Sequence, residues 1–170
     1  MTPSRYMLIN TILSRCQIIS LLNKKEENNI VSYVLKLSNP NLESDEEKYS
    51  YAMDKIDTVL SFVEQYEKHK KDTLLFTKDL IFKKISLREE LLCFFEIMKV
   101  FYYDVLTNKV KNNIVYFNDF YNIINQITEK NDIRVIAKKL KVIESSIEKI
   151  KLNCNLNLIV DKFIVESEGV

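Results

Sequence analysis

One glycine, Gly169, is found in the 170 residues of this chain. A loop that closes backbone N–H groups around a phosphate needs several glycines, so neither a P-loop nor a dinucleotide-binding fingerprint can be built from this sequence. Any nucleotide chemistry in which the chain takes part is therefore help given to a nucleotide held by another polypeptide. What remains available is helix, and the apolar residues are spaced for it.

From Ile30 onward the hydrophobic residues recur at threes and fours. Ile30, Tyr33, Val34 and Leu37 form one face of a short helix that ends at Ser38-Asn39-Pro40-Asn41, where proline excludes the helical region for its predecessor and lacks a donor. Ser44-Asp45-Glu46-Glu47 has the pattern of a capping box with acids in the first turn. The helix it opens carries Tyr49, Ala52, Met53, Ile56, Leu60 and Val63 and runs to about His69. A further helix is expected within Asp72 to Ile85, using Leu75, Leu80, Ile81 and Phe82. Ser86-Leu87-Arg88-Glu89 reads as a second capping box, ahead of the broadest apolar face of the chain: Leu91, Phe94, Phe95, Met98, Phe101, Tyr102 and Val105.

Asn108 to Asn113 reads as a basic, asparagine-rich loop. A short helix from Asn118 or Asp119 would bury Phe120, Ile123, Ile124 and Ile127. Ile133, Ile136, Leu140, Ile143, Ile147 and Ile150 mark a long helix from Asp132. Asn153-Cys154-Asn155 interrupts it, and Leu156 to Val165 forms a closing helix. The expectation is an all-α bundle of five to six helices with short connections.

Charge restricts function further. Twenty-five basic residues face 24 acidic ones, a net charge of +1, so strong unspecific attraction to a phosphate backbone is not indicated. No apolar run approaches the ~20 residues of a membrane span, and Met1 to Arg5 does not open a signal-peptide pattern. Cys16, Cys93 and Cys154 are far apart and lack C-x-x-C spacing, against a disulfide framework or structural zinc. A reducing cytoplasm is the simplest compartment.

The start of the chain reads differently. Tyr6 to Leu13 and Ile18 to Leu22 are short, apolar and β-branched, but two such segments make no stable sheet by themselves. They flank Ser14-Arg15-Cys16. Led in by Leu8-Ile9-Asn10-Thr11-Ile12-Leu13, this tripeptide resembles the Ser-Arg-Cys signature of AAA+ clamp-loader subunits, most of all the delta-prime family of bacterial DNA polymerase III. Phe101-Tyr102-Tyr103-Asp104-Val105-Leu106 is similar to that family's aromatic-Arg-Asp-Leu-Leu segment, with Tyr103 in place of arginine. Asn153, Asn155 and Leu158 match its closing Asn-x-Asn-x-x-Leu pattern. Asn10 departs from the usual proline, and the stretch around Pro40 is shorter than the family's lid.

The resemblance implies three regions: residues 1–19 as the tail of an ATPase module, 20–42 as an abbreviated lid, and 43–170 as a helical collar domain through which subunits form a ring. It implies a non-hydrolysing subunit that offers Arg15 to ATP on a neighbour while a sliding clamp is loaded onto primed DNA. Ser14 and Cys16 would shape the turn that carries Arg15. The implied partners are gamma/tau-like ATPases and a delta-like subunit, with the clamp and DNA reached indirectly; the chain itself would hold no cofactor and no metal. A guanidinium suits the role, being permanently charged with a fork of donors that matches phosphate oxygens, and such a finger is worth ~10³–10⁵ in rate where it operates. A second reading is a free-standing helical interaction module with no nucleotide role.

Other candidates have plainer explanations. His69, amid Lys68, Lys70 and Lys71, reads as a solvated helix end, and Lys109 and Lys111 as a charged surface. The Phe94, Phe95, Phe101, Tyr102 stripe reads as core and not as a ligand pocket, and Asn153 and Asn155 as helix caps.

Overall fold

The computed structural model describes residues 29–75 and 81–168, and among these it is all-helical. The helices are α1 (Ile30–Ser38), α2 (Asp45–His69), α3 (Arg88–Lys111), α4 (Tyr121–Lys130), α5 (Ile133–Lys151) and α6 (Leu156–Glu168), with 3₁₀ turns at Lys70–Leu75 and Asn118–Phe120. The expected bundle is present.

Each boundary has a local cause. Asn29 caps α1 by accepting from Val31 N at 2.9 Å, and Asn39 closes it in the left-handed conformation ahead of Pro40. At α2 the capping box is complete: Ser44 Oγ accepts from Glu47 N at 3.1 Å and Glu47 accepts from Ser44 N at 3.4 Å. The second box is shifted by one residue from the sequence expectation. Leu87 is the N-cap of α3, and Glu90, not Glu89, accepts from Ser86 N at 3.1 Å and Leu87 N at 3.2 Å.

The helix expected within 72–85 falls in its middle on residues 76–80, outside the described ones; on either side, the chain leaves α2 through the 3₁₀ turn, where Leu75 is 79% exposed, and approaches α3 with Ile81 and Ile85 buried. One further expectation is corrected. Asn108 to Lys111 is not loop but the last turn of α3. It is held there because Asn108 is buried and donates to Asn125 Oδ1 at 2.7 Å, with Asn112 terminating the helix at positive φ.

The central helix is α3. Its predicted face is buried throughout, from Leu91 to Val105, and it packs most extensively on α5. Lys55 of α2 reaches Glu90 of α3, and further along both helices in the same direction Glu67 meets Tyr102, so these helices run parallel. Helix α5 runs antiparallel to α3: Arg88 at the start of α3 donates to Ile150 O at 2.8 Å and Cys154 O at 3.1 Å beyond the end of α5. Phe62, Phe94, Phe95 and Phe163 meet edge-on or tilted where α2, α3 and α6 converge, with centroids 5.3 to 6.3 Å apart. Each such buried side chain contributes roughly 1.5–3 kcal/mol over its exposed state. Ile30 and Val34 of α1 join the same core.

Candidate functional site

Ser14, Arg15 and Cys16 lie outside the described residues. Inside them, the cations singled out by sequence gather at one end of the bundle, and the arrangement of helix ends explains why. The C-termini of α2, α3 and α4 meet there: Lys109 donates to Thr128 O at 2.8 Å, and Asn131, which caps α4, donates to Glu67 Oε2 at 3.1 Å. Lys68, Lys109, Lys111 and Lys130 therefore sit in last turns, where a cation complements the negative end of the helix dipole. His69, the last residue of α2, is half-buried at this end.

Beneath those ends lies a buried polar cluster that is not among the expected site residues. Lys139 of α5 has no exposed surface, and its Nζ lies 2.7 Å from Glu67 Oε1 and 3.1 Å from Asn131 Oδ1. Tyr102 donates its hydroxyl to the same Glu67 oxygen at 2.6 Å. The other oxygen takes Asn131 Nδ2 and lies 3.5 Å from Lys70 Nζ. Lys139 also stands over the rings of Tyr66 and Tyr102, at 5.0 and 5.5 Å from their centroids. Burial alone would push Glu67 up, but the Lys139 charge and the hydrogen bonds from Lys139, Tyr102 and Asn131 outweigh it and hold the carboxyl below its ordinary range.

The signal for this cluster was present in the spacing. Lys139 falls three residues after Ile136 and four before Ile143, on the apolar stripe of α5; Glu67 follows Leu60 and Val63 on that of α2. A lysine and a glutamate on core faces of different helices imply that each is the other's partner.

Glu67 borders an open groove of about 310 Å³ shared with Lys68, Gln126 and Lys130. With two donors on each oxygen, this carboxylate is neutralised in place and not set up to take a substrate proton. The buried Asp104 is used in the same way. It accepts from the backbone N–H groups of Val115, Tyr116 and Phe117 at 3.2, 2.8 and 2.8 Å, pinning the connection between α3 and α4.

The Cys93 thiol is pushed up by burial, against a 3.4 Å contact with Ser38 Oγ, which makes it a poor nucleophile. Phe94, Phe95, Phe101 and Tyr102 are core. Asn153 adopts positive φ after α5, and Asn155 Oδ1 accepts from Leu158 N at 3.2 Å to start α6, so both act at helix ends.

Among the described residues no group of three or more His, Cys, Asp or Glu side chains is placed to hold a metal, and no helix is long and apolar enough to cross a membrane. No family model, curated protein or solved structure matches the chain. Among the described residues the buried ion pair of Glu67 and Lys139 joins α2 to α5.

Proposed function

We propose that the chain is an assembly module of a bacterial clamp loader: a delta-prime-like, non-hydrolysing subunit part that joins its neighbours through the helical bundle. In this reading Arg15 is offered to ATP gripped by an adjacent gamma/tau-like ATPase, a delta-like subunit is a further neighbour, and the clamp and primed DNA are met only through the assembly. The chain alone is not catalytic and works in the cytoplasm. The observation that carries the reading is the ordered set of Ser14-Arg15-Cys16, the segment around Asp104 and the Asn153–Leu158 pattern. Two of these fall at junctions that organise the bundle, which supports a shared helical domain: Asp104 holds the connection into α4, and Asn153 and Asn155 make the turn between α5 and α6.

The test is reconstitution with the ATP-hydrolysing clamp-loader subunits of the same organism. A stable complex is expected, and Arg15→Ala in that complex should lower DNA-stimulated ATP turnover by about 10³-fold, the low side of what such fingers contribute. Assembly with undiminished turnover removes the finger role. Failure to assemble removes the clamp-loader reading and leaves a helical interaction module with no part in nucleotide chemistry.

A further inference from the structure

We infer that the groove between α3 and α5, beside the start of α1, is covered by this chain's own apolar run of Ile18, Ile19, Leu21 and Leu22. The groove has a volume of about 340 Å³, and its apolar lining comes from Val100 and Tyr103 of α3, Tyr116 of the α3–α4 connection and Leu140 of α5. Tyr103 is 51% exposed, and Tyr116 and Leu140 are half-buried. Apolar and aromatic side chains gathered on one concave surface mark a contact.

The path of the backbone selects the occupant. Ile30 N donates to Tyr116 O at 3.2 Å, and Tyr33 meets the Tyr116 ring edge-on at 5.8 Å, so α1 begins against a residue that lines the groove. In the sequence a polar connection, Asn23 to Asn29, separates Ile30 from the run that ends at Leu22. The eight peptide steps from Leu22 to Ile30 can span up to about 28 Å. A helix with its side chains is only about 10–12 Å across, so the run reaches the groove without strain. It is an apolar stretch too short to bury itself, and the groove is an apolar surface that the described helices leave open. Joined by so short a tether, the two meet at an effective concentration on the order of mM, at which even a ~0.1 mM affinity fills the groove about nine times in ten. A partner protein or a second copy has no such advantage. Charge does not oppose the choice: Lys99 at the groove is drawn to Glu96 at 2.6 Å, and the exposed Glu144 is left to face a segment, residues 1–28, with four bases against two acids. The inference goes beyond the assembly role and does not rest on the clamp-loader reading, because its test uses no loader subunit.

The test is paramagnetic line broadening in the full chain with a nitroxide on Cys16, two residues before Ile18. Cys154, which is exposed, is changed to Ser, and the remaining Cys93 is buried. Relative to the ascorbate-reduced sample, broadening concentrated at the amides of Val100, Tyr103, Tyr116 and Leu140 is expected. It should be lost when Leu21→Ser is combined with Leu22→Ser, and lost again in Tyr103→Lys, which alters a half-exposed side chain and leaves the core intact. Nearness due to the tether alone would survive both changes. The inference is overturned by broadening spread evenly or centred on another face, or by broadening that persists in either variant. It is equally overturned if mixing nitroxide-bearing chains with isotope-labelled chains that lack the nitroxide gives the same broadening, since a second copy would then be the occupant.

Discussion

A single side chain, Lys139, illustrates how charge is used in this molecule. Its ammonium is fully buried, and it is tolerable there because Glu67, Asn131 and two aromatic faces surround it. Removing one partner strands the other, so Lys139→Met should cost about 3–5 kcal/mol in urea unfolding, while Lys139→Met combined with Glu67→Leu should recover much of that loss. The pH dependence follows from Glu67, whose carboxyl is held below its ordinary value of 4.5. A depressed carboxylate contributes stability that is complete above the unfolded value and is lost as pH falls through the folded one. Stability should therefore drop below about pH 4.5, and Glu67→Gln, less stable near neutrality, should show a shallower acid limb. An acid limb of equal slope in Glu67→Gln would mean that other carboxylates dominate.

At the level of elements, the helices were legible wherever an apolar stripe was long: α2, α3 and α5 lie where threes and fours placed them. Illegible parts were those decided by contacts distant in sequence. Asn108 looked like loop because asparagine favours turns, yet Asn125 and Thr128 hold it inside α3. Leu75 looked like core because it is leucine, but the 3₁₀ turn after His69 faces it outward. Lys139 reads as surface because lysine is seldom buried. Arg15 stands out by motif alone, whereas Glu67 and Lys139, although both sit on apolar stripes, belong to no motif.

Two element-scale predictions follow from the boundaries. Asp104→Ala leaves three backbone N–H donors without their acceptor at the α3–α4 connection, and should cost about 3 kcal/mol with faster hydrogen exchange at Val115, Tyr116 and Phe117. Leu87→Ser supplies the missing cap of α3 and should raise stability by about 1 kcal/mol, read from the urea midpoint. Were Leu87→Ser destabilising instead, the packing of the leucine would outweigh the missing cap.

For the molecule as a whole, the question is whether α1 belongs to the same cooperative unit as α2–α6. The sequence places a boundary between Pro40 and Ser44, and α1 is short: nine residues are too few to be helical in isolation. Yet Ile30 and Val34 are buried in the core shared with α3, Ile30 N donates to Tyr116 O at 3.2 Å, and Tyr33 meets Tyr116 edge-on at 5.8 Å. A helix with no stability of its own that fills a common core must melt with that core. Val34→Ala in α1 and Ile164→Ala in α6 should lower stability by about 1–3 and about 2–5 kcal/mol, read as a lower urea midpoint at unchanged slope, and near- and far-ultraviolet circular dichroism should give one transition. Native-state hydrogen exchange should protect Val34 to within about 1–2 kcal/mol of Ile164. Exchange at Val34 many kcal/mol easier than at Ile164 would mean that α1 opens by itself. It would then also open the groove that α1 walls with Leu37 and Ser38.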